Sequence, residues 1–243
     1  MSNPILNNNR FSAGESVLTG EPMTIQGTVN KIFMLFACLA AGAAISLYFL
    51  FTNPAFAYIS MLGGSIIGFI LVLITCFNIP IAKYTAAPYA LCEGLLLGGF
   101  SAFFEAAYKG IVLQAILATF MVLFVMLMLY KARIIRFTEK LRAVILTGLL
   151  SICGIYLIQF IASFFGRGIP AIFESGPIGI LFSLIVIGFA ALSLIQDFWF
   201  IEESSNRMLP KDYEWFGAMG LMITLVWLYM EILRLFAKLN SRR

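Results

Sequence analysis

Histidine is absent from the chain. Its absence removes the usual general base and metal ligand, together with the only side chain whose unperturbed pKa lies near neutrality. Any response to pH therefore falls to carboxylates whose affinity for protons burial has raised. Cysteine is scarce: Cys38, Cys76, Cys92 and Cys153 show no CxxC spacing and fall inside apolar stretches. They read as small buried apolar residues, which excludes a zinc or disulfide framework. Charge is scarce as well, at 12% of 243 residues, where soluble domains carry about 25%. HExxH, GxSxG and GxGD are missing, and Asp197 is the sole aspartate within an apolar span. Neither metalloprotease, serine hydrolase nor paired-aspartate protease is expected. The last apolar stretch lacks a central lysine for a retinal-type Schiff base. These absences predict a protein that is not an enzyme and needs no cofactor.

Hydrocarbon is what the chain has: 61% of its residues are hydrophobic, in stretches too apolar for a soluble core. The fold class expected is all-α, a polytopic membrane protein in contact with a lipid bilayer. Residues 1–30 are rich in Asn, Ser, Thr and Gly and read as a flexible polar tail. A seven-helix transmembrane domain is expected over residues 31–239, with helices at about 32–51, 57–77, 86–108, 111–130, 143–165, 178–200 and 213–236, followed by a basic end at 240–243. Gly63, Gly64 and Gly68 in the second helix, and Gly94 and Gly98 in the third, permit close helix contact. The Gly- and Pro-punctuated segment from Gly166 to Pro177 reads as a loop with room for one helical turn.

Lys and Arg mark the cytoplasmic side. Alternating the seven spans puts ten of them on the N-terminal side and six on the other, which favours a cytoplasmic N-terminus. Arg234, Lys238, Arg242 and Arg243 at the chain's end pull the other way, and a re-entrant last segment would put both termini inside. The net charge of +4 is small and concentrated in one loop and the C-terminal end, so nucleic acid is set aside as a partner.

Acids within spans carry the functional argument, because a charge in hydrocarbon costs about 2.5–3.5 kcal/mol and by default marks an ion or proton path. At a rise of about 1.5 Å per residue, Asp197 falls about 12 Å and Glu93 about 5 Å to the cytoplasmic side of their span centres. Glu231 and Glu105 fall about 9 Å and 13 Å to the other side. Asp197 can thus approach Glu93, and Glu231 can approach Glu105. Such a graded series attracts cations, and a carboxylate pair that shares a proton can serve as a pH-controlled gate. Plainer readings stand beside this one. Asp197 lies about a turn from the interface and can snorkel or cap. Glu231 and Arg234, spaced i, i+3, can form a structural ion pair. Glu105 can be an interfacial residue, while Glu93 is the deepest of the acids.

The text from Ala87 to Gly94, Phe104-Glu105, Ile169-Pro170 through Ser175-Gly176-Pro177, Gln196-Asp197-Phe198, Tyr213 to Phe216 and Leu225 to Arg234 resembles the Bax inhibitor or YccA-like membrane proteins, the transmembrane Bax-inhibitor-motif group. The resemblance covers nearly the whole chain after residue 28. It implies seven helices with the last enclosed by the other six, and a pH-sensitive calcium or cation leak in a bacterial cytoplasmic membrane, with calcium held transiently at Asp197 and Glu93. It also implies a rival role, since eukaryotic relatives restrain cell death and a bacterial relative modulates a membrane-bound AAA protease. In the leak relatives two aspartates on the last two helices form the gate. The first corresponds to Asp197, and the second falls on Thr224. Glu231 lies seven residues further along, on nearly the same helical face but about 10 Å away. An acid that some relatives carry on helix 2 is missing, and Glu93 on helix 3 is its stand-in.

Overall fold

The computed structural model describes residues 21–165, 172 and 174–241. Seven helices among these residues are long and apolar enough to cross a membrane. They are α1 (Ile25–Thr52), α2 (Pro54–Phe77), α3 (Ala82–Ala107), α4 (Ile111–Lys131), α5 (Glu139–Phe164), α6 (Pro177–Asn206) and α7 (Asp212–Asn240), with a 3-10 turn at Ile79–Ile81. The chain is an integral, multi-pass membrane protein.

Helix boundaries follow from local capping. Thr24 opens α1 by accepting a hydrogen bond from Gly27 N at 2.9 Å, Asn53 does so for α2 from Phe56 N at 3.3 Å, and Thr138 for α5 from Leu141 N at 3.2 Å. Gly110, with φ of 82°, supplies the left-handed turn between α3 and α4. On α7 the first turn carries Asp212 and Glu214 and the last carries Lys238, the arrangement that complements the helix dipole.

Three expectations are corrected. The polar tail ends earlier than residue 30: Met23 N donates to Leu209 O at 2.8 Å, Pro22 bridges Pro210, and α1 begins at Ile25. Backbone pairing to the α6–α7 connection orders a stretch whose composition alone argued for freedom. Residues 1–20 lie outside the described residues, as do 166–171 and 173, where a helical turn was expected. Second, α6 continues through Glu202, Glu203, Ser204 and Ser205, which read as a loop. An Arg207 to Glu203 ion pair at 2.6 Å, a hydrogen bond from Tyr130 to Glu202 and the burial of Ser204 hold that last turn in place. Cys76 and Cys153, expected inside, are exposed on the helix surfaces.

Helix α7 is the centre of the bundle. Buried positions make up 72% of its most apolar stretch, against between 11% and 39% in the other six helices. It packs against α1, α3, α4 and α6; α2 lies outside on α1 and α3, and α5 on α6. The glycine pair of α3 finds its partner in α1: a Cβ on Gly94 would stand 2.2 Å from Leu39 O, so α1 and α3 meet backbone to backbone.

Candidate functional site

The α6–α7 hairpin carries Asp197 and Glu231. Because α6 extends to Asn206, Asp197 lies nine residues, about 13.5 Å, inside the helix end and about 8 Å from its middle. That is deeper than the sequence reading had it, and too far in for the side chain to cap the helix. Across the interface the Thr224 hydroxyl of α7 lies beside the Asp197 carboxylate. That hydroxyl donates to Gly220 O of its own helix at 3.3 Å. Although part of Asp197 reaches the molecular surface, its Oδ2 is sealed and has no hydrogen-bond partner among the described residues. A sealed carboxylate oxygen without a donor is a costly arrangement that packing alone does not call for.

The other buried acids are spoken for. Glu231, 2% exposed, receives Arg234 Nη1 at 2.8 Å and Tyr156 OH at 2.9 Å, which ties α7 to α5. Glu105 accepts from Gly110 N at 2.6 Å and Val112 N at 3.1 Å and so closes the α3–α4 turn. Glu93 is half-buried, lies one turn after Tyr89, and has its carboxylate near Gly68 of α2. Neither pairing expected from depth is formed. Glu105 and Glu231 are each consumed by nearer donors. Asp197 and Glu93 have separate neighbours, because α6 and α3 pack on α7 rather than extensively on each other. The shared-proton pair of carboxylates is thereby replaced by one carboxylate and one hydroxyl. Among the described residues no three Cys, Asp or Glu side chains converge as a metal would need.

One buried acid escaped the sequence reading. Glu214, 1% exposed in the first turn of α7, receives Thr24 N at 2.9 Å, Thr24 Oγ1 at 3.1 Å and the Lys31 ammonium. Lys31 also lies 5.3 Å from the Trp215 ring. Further out Lys83 pairs with Asp212 at 3.4 Å, and Lys211 beside Glu21 holds that carboxyl below the usual carboxylate range. A helix-start acid and a helix-start lysine were the available signal, but nothing in their spacing brings them together.

The site therefore consists of an acid on the sixth helix facing the seventh at Thr224, inside a bundle built around that seventh helix. The protein family described as Bax inhibitor 1 like matches residues 3–241. The chain belongs to this family. No curated protein matches it. Within this Bax inhibitor 1 like chain, the two positions that the resemblance paired, 197 and 224, are neighbours across α6 and α7.

Proposed function

We propose that this Bax inhibitor 1 like protein is a non-enzymatic, pH-sensitive cation leak with Asp197 at its gate and calcium as the favoured cargo. The observation that carries this reading is the sealed, donorless Oδ2 of Asp197 at the α6–α7 interface. When protonated, Asp197 is neutral and can donate toward Thr224, so α6 and α7 stay closed over an uncharged contact. When the proton leaves, the carboxylate draws the Thr224 hydroxyl away from Gly220 O and presents a negative charge to an entering cation. A resident calcium ion takes six to eight oxygen ligands. One carboxylate and one hydroxyl fall far short of that, which suits a cation that passes with its water rather than one that stays. Glu93, half-buried on the α2 side, is assigned a secondary place on the path.

The N-terminus is placed on the cytoplasmic side, on the strength of the ten basic residues there. Pairing does not shift that balance, because Arg234 and Glu231 on the opposing side are matched by Lys31 and Glu214 on this one. The membrane assigned is the bacterial cytoplasmic one.

The test is calcium entry into liposomes containing the full chain, read with a trapped indicator at acid and neutral pH. Asp197→Asn should flatten the pH response while leaving the protein folded. Absence of flux at every pH would end the transport reading. The second reading, modulation of a membrane-bound AAA protease, draws on the anchoring of Glu21 to Met23 beside the α6–α7 connection. Deleting residues 1–20 should then abolish co-purification with the protease and leave any flux intact.

A further inference from the structure

A cavity of about 280 Å³ lies between α1, α3, α4 and α7. Its floor is buried and comes from Leu97 of α3 with Leu225, Val226 and Tyr229 of α7. Its rim, Leu47 of α1 with Ile116 and Phe120 of α4, is exposed on the face that meets the bilayer. Helices α1 and α4 have no extensive packing on each other, so the opening points sideways into the membrane, bounded at one end by the Phe36–Phe120 ring contact at 6.2 Å. The wall cannot simply collapse. Gly98 already packs against α1 so closely that a Cβ there would stand 2.6 Å from Ala43 O.

The hydroxyls that line the cavity are spent: Ser101 and Tyr229 bond each other at 2.7 Å, and Thr119 donates to Ala115 O at 2.7 Å. No charged side chain lines it. A dry apolar cavity of about 150 Å³ already admits a benzene-sized molecule, and this one is larger and open to a hydrocarbon solvent. We propose that it is an intramembrane site for one acyl chain of a bilayer phospholipid, entering between α1 and α4 and seated against α7. On the helical wheel Leu225, Val226 and Tyr229 lie on the side of α7 away from Thr224. The chain would therefore back the same turns of α7 that face Asp197, giving lipid composition a direct hold on the central helix.

The experiment reconstitutes the full chain in liposomes containing a phospholipid with a photoactivatable diazirine on its acyl chain, irradiates, and maps adducts by mass spectrometry. Adducts are expected on Leu97, Leu225 or Val226 as well as on the lipid-facing Phe69 of α2. Thr119→Phe and Ala43→Phe, which fill the space from different helices, should each lose the floor adducts while keeping those at Phe69. Labelling of Phe69 and Phe120 with none on the floor overturns the proposal. So do floor adducts that persist in both filled variants. Because labelling is read without any flux, its outcome is independent of the leak reading, and if one filled variant does not fold the other still decides.

Discussion

Gly27→Ala offers a test in which two physical effects have opposite signs. Gly27 sits in the first turn of α1, and an alanine there should raise helix stability by about 1 kcal/mol. The structure predicts the reverse, because the added Cβ would stand 2.3 Å from Glu214 Oε1 and 2.5 Å from Oε2. That carboxylate is held by Thr24 and Lys31 and has nowhere to move without leaving them. Breaking a buried ion pair costs about 3–5 kcal/mol. Lys31 is 15% exposed, so part of that loss is recovered by solvent, and about 2–3 kcal/mol is the working figure. Subtracting the propensity gain leaves a net destabilisation of about 1–2 kcal/mol, roughly a 5- to 30-fold drop in the folded-to-unfolded ratio. The assay is equilibrium unfolding in mixed detergent micelles followed by tryptophan emission, with Trp215 beside Lys31 as the local reporter. Gly63→Ala is the control: a Cβ there meets nothing within 4 Å, so only the propensity gain remains. A second arm places Gly27→Ala in a Glu214→Ala background, where the penalty should vanish because the obstructing carboxylate is gone. A Gly27→Ala protein at least as stable as wild type, or a penalty undiminished without Glu214, would refute the reasoning.

Two further outcomes are expected. Glu105→Ala frees Gly110 N and Val112 N at once and should cost about 1–3 kcal/mol, with Glu105→Gln recovering part of it and neither altering the pH response of flux. In the Glu231, Arg234 and Tyr156 cluster, Arg234→Met should destabilise by about 1–3 kcal/mol, because Glu231 keeps only the Tyr156 hydroxyl while the part-exposed guanidinium is already screened by its surroundings, and the double change with Glu231→Leu should restore much of that loss in the same unfolding assay.

The sequence by itself determined the architecture. Seven apolar runs separated by Asn-Pro, Gly and basic loops can satisfy their backbone polar groups in hydrocarbon only as helices. The glycine spacing at 94 and 98 announced a close-packed face, and the quoted segments pointed to the family. It also named Asp197, Glu93, Glu105 and Glu231, since charge inside an apolar run is rare enough to be conspicuous, and it missed Glu214. Which of those acids is free was decided only by the tertiary structure. Glu214 meets Lys31 across 183 residues, and Glu231 meets Tyr156 across 75. Helical periodicity says which face a residue occupies, but not which other helix stands opposite. Depth along separate axes therefore suggested two pairs of carboxylates, while the α3–α4 turn took Glu105, packing around α7 distributed donors to Glu231 and Glu214, and Asp197 was left with a threonine. The reason is physical: a charge in a low-dielectric interior is governed by groups within a few ångströms, and those neighbours are chosen by how the helices pack rather than by their order along the chain.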